Sequence, residues 1–409
     1  MINVKFSGSP HSSLNDKVPH AGGKTHNYYL KGLHKSGLFN IKLVTFAAKP
    51  EIPNIDLADY GIDHHLIFFN TNIFKRMAWG ILYRLHKWNF LSHDAGGVTP
   101  FARYSAHKIL RDLKRSGYSP DVVILQWTGM VLLKEYIDEL FPGVPVVAVE
   151  EDVSYLGSKR VMEFETSPIK RYLKKKLYLA LKSKELKALR ESALTIVNNV
   201  KDKKLLQSDD KRINVWMWAA YFISYLQLEH KGGTKDIIFY GAMSRPENYL
   251  SAEWFINNVM PLLSKDYRFI IIGNSPDKSL MKYASDRVII TGFVDDPSPY
   301  FQNALCLAAP LLLGAGVKIK VIEALSAGLP VLTNDIGIEG IEAVNNESYF
   351  HCGTPEEYAD VITRLGNGEI DCEKVSAASK ALIREKHNYE KTLKEFISII
   401  QDIAEKNSR

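Results

Sequence analysis

Between Gly314 and Asp335 the chain reads GAGVKIKVIEALSAGLPVLTND, a loop, a helix, a stop and an apolar run. Gly314 and Gly316 flank Ala315 and carry no side chain, so the backbone there can pass close to a ligand. Val317 and Lys318 lead into a helix whose free N–H groups and dipole favour an anion. Lys318 and Lys320 add positive charge near that end. Lys320 and Glu323 stand three residues apart and share a face. A phosphate at the helix start and a carboxylate one turn later would suit a nucleotide diphosphate with its ribose. The same spacing also permits a plain Lys320–Glu323 ion pair, and a glycine loop before a helix is common in α/β proteins, so both readings stay open on pattern alone. Gly328 and Pro330 stop the helix, and Val331 and Leu332 begin a buried strand.

A second group of residues with chemical capacity is Glu150-Glu151-Asp152, directly after the apolar run Val146 to Val149. The carboxyl end of a strand is where α/β proteins place ligands. Glu151 or Asp152 could orient or deprotonate a hydroxyl, while Asp152 could equally cap a helix. Gly22 and Gly23 form a turn before a helix that starts near His26, and His26 itself reads as a packing or solvent residue. Arg245 sits in a loop after an apolar run, and Phe293 and Val294 follow Gly292 in a similar position.

These residues need a scaffold, and the patterning supplies one. Apolar runs at Val4 to Phe6, Ile41 to Phe46, Val122 to Leu125, Val146 to Val149 and Leu194 to Val197 alternate with helical segments at His26 to Ser36, Arg103 to Ser116 and Leu132 to Leu140. The habit repeats at Ile237 to Tyr240, Phe269 to Ile272, Val288 to Thr291, Leu305 to Ala308 and Val331 to Thr333. Such alternation predicts parallel sheets covered on both faces. A chain of 409 residues is long for one core, so two domains are expected, with a break near Ala219 to Asp236. Tyr389 to Arg409 is helical by pattern.

The composition excludes several classes. No run reaches the roughly 20 apolar residues that span a bilayer, and the start MINVKFSGSP reads as a strand more than a signal peptide. A cytoplasmic location follows as the expectation. The three cysteines, Cys306, Cys352 and Cys372, lack metal spacing, and their odd, low count argues against a disulfide framework. The histidines form no zinc pattern, so no structural metal is expected. The Rossmann G-x-G-x-x-G is absent after the first strand, which weighs against a dehydrogenase. The net charge of +6 is unevenly placed. Ser167 to Arg190 carries Lys170, Arg171, Lys174, Lys175, Lys176, Lys182, Lys184, Lys187 and Arg190 against Glu185 alone, with Leu173, Leu177, Ala180, Leu181 and Ala188 at helical spacing. This is the pattern of a basic amphipathic helix suited to an anionic membrane surface. Leu66 to Phe90 interleaves aromatics with Lys75, Arg76, Arg84 and Lys87, which also suits a headgroup layer. Solvated and core helices are the alternative for both. No nucleic-acid motif accompanies the charge, so nucleic acid is not an expected partner.

The ordered segments resemble retaining GT-B glycosyltransferases, specifically glycosyltransferase family 4. The 314–335 stretch is similar to that family's donor-site motif. IIFYGAMSRPEN (Ile237 to Asn248), YRFIIIGNSPDKSL (Tyr267 to Leu280), VIITGFVDD (Val288 to Asp296) and ALCLAAPLLLGAGVK (Ala304 to Lys318) follow the family's C-terminal order. HAGGKTHNYYLKGLHKSG (His20 to Gly37) resembles its N-terminal Gly-Gly loop and first helix. The resemblance implies two Rossmann-like α/β/α domains facing across a cleft. Residues 1–225 would form the acceptor side, 226–385 the nucleotide-sugar donor domain, and 386–409 a helix crossing back. It implies sugar transfer from a nucleotide diphosphate sugar to a hydroxyl of a glycan or lipid-linked acceptor, with retention and without metal or other cofactor, in surface polysaccharide or glycoconjugate synthesis.

In that frame Arg245, Lys318 and Lys320 would face the diphosphate, Glu323 the ribose hydroxyls, and Phe293 and Val294 the nucleobase. Gly22, Gly23 and the loop Gly314, Ala315, Gly316 and Val317 would approach the diphosphate and sugar. Glu151, in the place of a family histidine, and Asp152 would serve the acceptor. Two departures stand out. The first glutamate of the family's spaced pair is Ala315 here, and the Gly-Arg and Lys pair of the first C-terminal loop appears as Gly241-Ala242 with Asn248. A GT-B-fold sugar-nucleotide 2-epimerase and a non-catalytic GT-B partner protein are the alternative functions.

Overall fold

The computed structural model describes residues 2–8, 21–47, 61–68, 74, 77, 78, 81, 98, 100–163, 165–313 and 316–407. The chain divides into two compact units, residues 1–221 with 389–409, and residues 222–388.

The first unit is built on seven parallel strands, β1 Ile2–Gly8, β2 Phe39–Ala47, β3 Asp63–Phe68, β4 Val122–Gln126, β5 Val146–Glu150, β6 Leu194–Val197 and β7 Val215–Met217. They lie in the order β3-β2-β1-β4-β5-β6-β7. Its helices are α1 Ala21–Lys35, α2 Pro100–Arg115, α3 Thr128–Val131, α4 Lys134–Leu140, α5 Ser154–Glu163, α6 Pro168–Arg190 and α7 Val200–Asp209. The period-two alternation of the central strands sorts their side chains between two apolar layers. Val123 and Leu125 of β4 join the layer of Leu110, Ile137 and Leu189, while Val122 and Ile124 join that of Tyr29, Leu33 and Phe396. Both faces of the sheet are therefore buried, as near-continuous Val/Ile/Leu runs demand.

The terminal helix, Tyr389–Asn407, packs in this second layer with Phe396, Ile400 and Ala404. Gly32 makes its approach to α1 possible: a Cβ there would lie 2.5 Å from the Leu393 side chain. Tyr29 stacks on Trp218 at 4.0 Å and donates its hydroxyl proton to the Ala219 carbonyl.

The second unit carries β8 Asp236–Tyr240, β9 Arg268–Ile272, β10 Val288–Gly292, β11 Cys306–Ala309, β12 Val331–Thr333 and β13 Phe350–His351, in the order β10-β9-β8-β11-β12-β13 and all parallel. Its helices are α8 Pro246–Asn258, α9 Lys278–Met281, α10 Ser298–Asn303, α11 Ile319–Ala327, α12 Pro355–Gly366 and α13 Cys372–Lys386, which makes the terminal helix α14. From Val321 to Ala327 every residue of α11 is buried. It ends on Gly328 in the left-handed conformation (φ 73°), where a Cβ would meet Ser376 Oγ at 2.0 Å. The sequence missed β3, β7 and β13. Asp63-His64-His65, the mixed Val-Trp-Met and the two-residue Phe-His lack the apolar length that marks a buried strand.

Each unit is thus a doubly wound α/β/α sandwich. Strand order reverses between β1 and β4 in the first unit and between β8 and β11 in the second. Ligand crevices of such sheets open at the carboxyl ends of the strands beside that reversal.

Candidate functional site

In the second unit the reversal is bounded by the loop after β8 and the start of α11. Tyr240 ends β8 and Gly241 follows in an extended left-hand-region conformation (φ 154°). A Cβ at Gly241 would stand 2.9 Å from Asn248 Nδ2 and 3.0 Å from Lys320 Nζ, so glycine makes room for that ammonium group. Lys320 Nζ donates a short hydrogen bond to Asn248 Oδ1 and lies 4.7 Å from the Phe239 ring centre. Burial pulls the Lys320 pKa down to about 7. Glu247 opposes the fall, and the charges of Arg245 and Lys318 add to it. Three cations therefore share one crevice. Asn248, which stands where the resemblance leads one to expect a lysine, instead accepts a hydrogen bond from the Lys320 ammonium.

Glu323 lies one turn further along α11 and is buried. Its carboxylate accepts a short hydrogen bond from the Tyr240 hydroxyl and another from the Ile223 N–H at 3.1 Å. Lys320 and Glu323 thus turn to different partners, although their spacing would permit a direct pair. Burial and the Glu323 charge push the Tyr240 phenol well up, so it stays a proton donor. Lys318 stands at the N-cap position of α11 without a side-chain capping bond; its ammonium donates to the Gly316 carbonyl at 2.5 Å and is 3.8 Å from Glu339. Gly316 takes φ 68°, and Val317 follows it into α11. Arg245 precedes α8, largely exposed, 2.5 Å from Glu247. Phe293 is exposed and Val294 half-buried after Gly292, whose φ of 71° turns the chain away from β10. Gly314 and Ala315 lie outside the described residues.

The first unit gathers a different chemistry at the same place in its sheet. Glu151 follows β5 and is held from two sides: Gln126 Nε2 donates to one carboxyl oxygen at 2.7 Å and Asn198 Nδ2 to the other at 2.5 Å. Asn198 in turn accepts a short hydrogen bond from the Trp218 indole. The donors are neutral, and burial dominates, so the Glu151 pKa rises to about 8; the Asp152 charge adds to this and the Asn198 hydrogen bond opposes it.

Gly22 faces the same carboxyl, since a Cβ there would be 3.2 Å from Glu151 Oε2. Gly22 and Gly23 lie inside the first turn of α1, which begins at Ala21 and not near His26 as the sequence suggested. Close approach of the helix start to Glu151 is the reason that glycine stands there. His26 is buried, its ring stacked 6.1 Å from that of Trp127. Trp127, just after β4, takes φ 66°, a costly conformation for a non-glycine residue and one found at functional turns.

The neighbouring acids have separate fates. Glu150 points into the core and accepts a short hydrogen bond from the Thr128 hydroxyl; burial, then Glu185, drive its pKa well up. Asp152 is exposed. Glu185 of α6 accepts the N–H groups of Ser154 and Tyr155 at 2.9 and 3.0 Å and so serves the first turn of α5. Tyr240, Gln126 and Asn198 escaped the sequence reading, and Asn248 entered it only as a departure, because each acts on a residue far away along the chain. A polar residue at the carboxyl end of a strand was the available signal. Among the described residues, no group of three or more His, Cys, Asp or Glu side chains could hold a metal ion.

Comparison with known proteins bears on the fold and on the second unit. Residues 234–367, wholly inside the second unit, match the family model described as glycosyl transferases group 1. An uncharacterized 44.6 kDa protein in the cps region of Klebsiella pneumoniae is 24% identical over 179 residues, 41% of this chain and 45% of that relative. The match therefore spans less than half the length of the relative. Sucrose-phosphate synthase from Thermosynechococcus elongatus has a similar structure, with TM-score 0.69 and 12% identity over 98% of this chain and 99% of that one. HepE from Anabaena, solved with UDP, gives TM-score 0.64 and 11% identity over 98% of this chain and 100% of that one. HepE has also been solved with UDP-glucose. The fold is GT-B, with two Rossmann-like domains.

Proposed function

We propose that the protein transfers a hexosyl-type sugar from a nucleotide diphosphate sugar to a hydroxyl of a glycan or lipid-linked acceptor, as a family 4-like enzyme that retains anomeric configuration and needs no metal. The observation that carries this reading is the arrangement at α11: a half-buried ammonium, Lys320, beside Gly241, with the Glu323 carboxylate one turn on. The complexes of HepE with UDP and UDP-glucose support a donor of this chemistry, and the cps-region relative supports a place in polysaccharide synthesis.

The roles follow from charge and reach. Lys320, with Arg245, Lys318, the N–H groups of Gly316 and Val317 in the loop and the first N–H groups of α11, would neutralise the diphosphate as the bond from the anomeric carbon to its oxygen breaks. Gly314 and Ala315 would complete that loop. Glu323 would bind ribose hydroxyls, exchanging its Tyr240 partner for the ligand. Phe293 and Val294 would contact the base. Glu151 would receive or orient the proton of the acceptor hydroxyl while Asp152, Gly22 and Gly23 shape its surroundings. A neutral Lys320 would gain a proton as the anion arrives, because an opposite charge favours the charged form. Domains 1–225 and 226–385 would serve acceptor and donor, with 386–409 as the returning helix.

Isothermal calorimetry with UDP, GDP and dTDP tests the assignment. One nucleotide is expected to bind, and Glu323→Ala to weaken it at least about tenfold, roughly 1.4 kcal/mol. Equal affinity in both proteins would sink the ribose role. Proton uptake on binding, read from buffers of different ionisation enthalpy, is expected of Lys320.

A further inference from the structure

The helix α6 turns an unpartnered face outward, and that face is both apolar and cationic. Ile169, Tyr172 and Leu179 are 75%, 58% and 51% exposed. With Lys176 they fall at intervals of three and four residues, so they form one stripe along the helix. Lys176 Nζ lies 4.9 Å from the Tyr172 ring centre, inside the stripe. Lys175 borders it, and Lys170 and Arg171 flank its N-terminal end, all exposed. No carboxylate among the described residues forms an ion pair with Lys170, Arg171, Lys175 or Lys176, whereas Lys174 and Lys182 are paired with Glu165 and Asp209, both at 2.7 Å.

The apolar positions noted in the sequence at helical spacing are a different set. Leu181 and Ala188 pack half-buried against the core, with Tyr178 and Leu186. The lone acid of the helix, Glu185, is fully buried on this inner side. The outer stripe is thus free of negative charge.

We infer that this face of α6 seats the first unit on an anionic lipid bilayer, with Ile169, Tyr172 and Leu179 entering the headgroup layer and Lys170, Arg171, Lys175 and Lys176 meeting its charge. Water alone does not account for three large apolar side chains so exposed in a row among unpaired cations. A bilayer satisfies both halves, since aromatic and aliphatic groups sit at the headgroup level and each lysine near an anionic surface adds attraction. Phe74, Met77 and Ile81, also exposed and helical at the same spacing, belong to the aromatic-basic segment and repeat the composition. Glu185 fastens α6 to the N–H groups of Ser154 and Tyr155, two and three residues beyond Asp152. The helix that would meet the lipid on its outer side therefore braces, from its inner side, the segment that follows Glu151.

Cosedimentation with phosphatidylcholine vesicles, with and without phosphatidylglycerol, tests this at low and high salt. Three proteins are compared: the wild type, Lys175→Glu/Lys176→Glu and Ile169→Ser/Tyr172→Ser/Leu179→Ser. The wild type is expected to bind the anionic vesicles and to leave the neutral ones in solution. The charge variant should bind at least about tenfold more weakly at low salt, and the apolar variant should lose the salt-resistant part. Unchanged circular dichroism and unchanged nucleotide affinity in both variants would show that the folds and the donor site are intact. Absence of vesicle binding at low salt would overturn the inference, as would binding that neither variant weakens. Binding of wild type and apolar variant alike to vesicles and to duplex DNA would also overturn it, because charge alone would then explain the surface. Since nucleotide affinity is read separately, the docking and the transferase reading fail independently.

Discussion

The two crevices occupy the same place in two sheets of the same architecture, yet their buried charges are opposite. In the first unit an acid, Glu151, is held by the neutral donors Gln126 and Asn198, and burial raises its pKa to about 8. In the second a base, Lys320, is held by the neutral acceptor Asn248, and burial lowers its pKa to about 7. Among the described residues neither forms an ion pair, and desolvation, the largest influence on both, moves each toward its uncharged form near neutral pH. The contrast teaches that a common sheet supplies the position while a few loop residues supply the sign. An acid poised near neutrality suits a proton-accepting role, and a cation suits the binding of an anion.

The largest expected effect falls on the acid side. Glu151→Gln should lower turnover by about a hundredfold or more, the usual contribution of a positioned general base. Its pH profile should change as well. The carboxyl is protonated below its pKa, so wild-type turnover should rise with pH through about 8, and the glutamine variant should lack that limb. A wild-type profile without a limb near that pH would remove Glu151 from the chemistry.

On the base side, Lys320→Met should separate binding from stability. Loss of the cation should weaken nucleotide diphosphate binding about tenfold, measured by calorimetry at pH 6, in line with one charge-assisted hydrogen bond. The same change should stabilise the fold. The unfolded lysine binds its proton up to pH 10.5 and the folded one only up to about 7, so the folding penalty is full below pH 7 and fades as pH rises to 10.5. Thermal melts should therefore show the methionine variant ahead by about 1–3 kcal/mol at pH 6, with the gap closing in alkali. A variant less stable than wild type at both pH values would mean that Lys320 is a structural anchor and would break the comparison.

The smallest effect tests the support of Glu151. Asn198→Ala removes a hydrogen bond that favours the carboxylate and leaves the Trp218 indole without that acceptor. The rising limb should move upward by about one pH unit, with a stability loss of about 1–2 kcal/mol. A limb that stays in place would limit Asn198 to holding Trp218.

Most of the scaffold was legible in the chain. The apolar runs at Val122 to Leu125 and Phe269 to Ile272 are strands because a parallel sheet buried on both faces needs unbroken apolar side chains. The three strands that escaped are short or polar, and only pairing with a neighbour makes them strands. Of the sites, the positions Lys320, Glu323 and Glu151 were legible, since glycine loops and acids at strand ends are local signals. Their partners were not. Asn248 meets Lys320 from 72 residues away and Tyr240 meets Glu323 from 83.

The order of residues by itself settled the alternation of strands and helices, the glycine turns and the excess of cations along 167–190. Those depend on backbone sterics and on spacing within a few residues. Tertiary structure alone decided which acid of Glu150-Glu151-Asp152 is buried in the core, which enters the crevice and which stays in water. It also decided that Glu185 faces inward while Ile169, Tyr172 and Leu179 face out. Burial is a property of what lies across from a side chain, and the neighbours that remove water from Glu151 and Lys320 come from strands and helices distant in the chain.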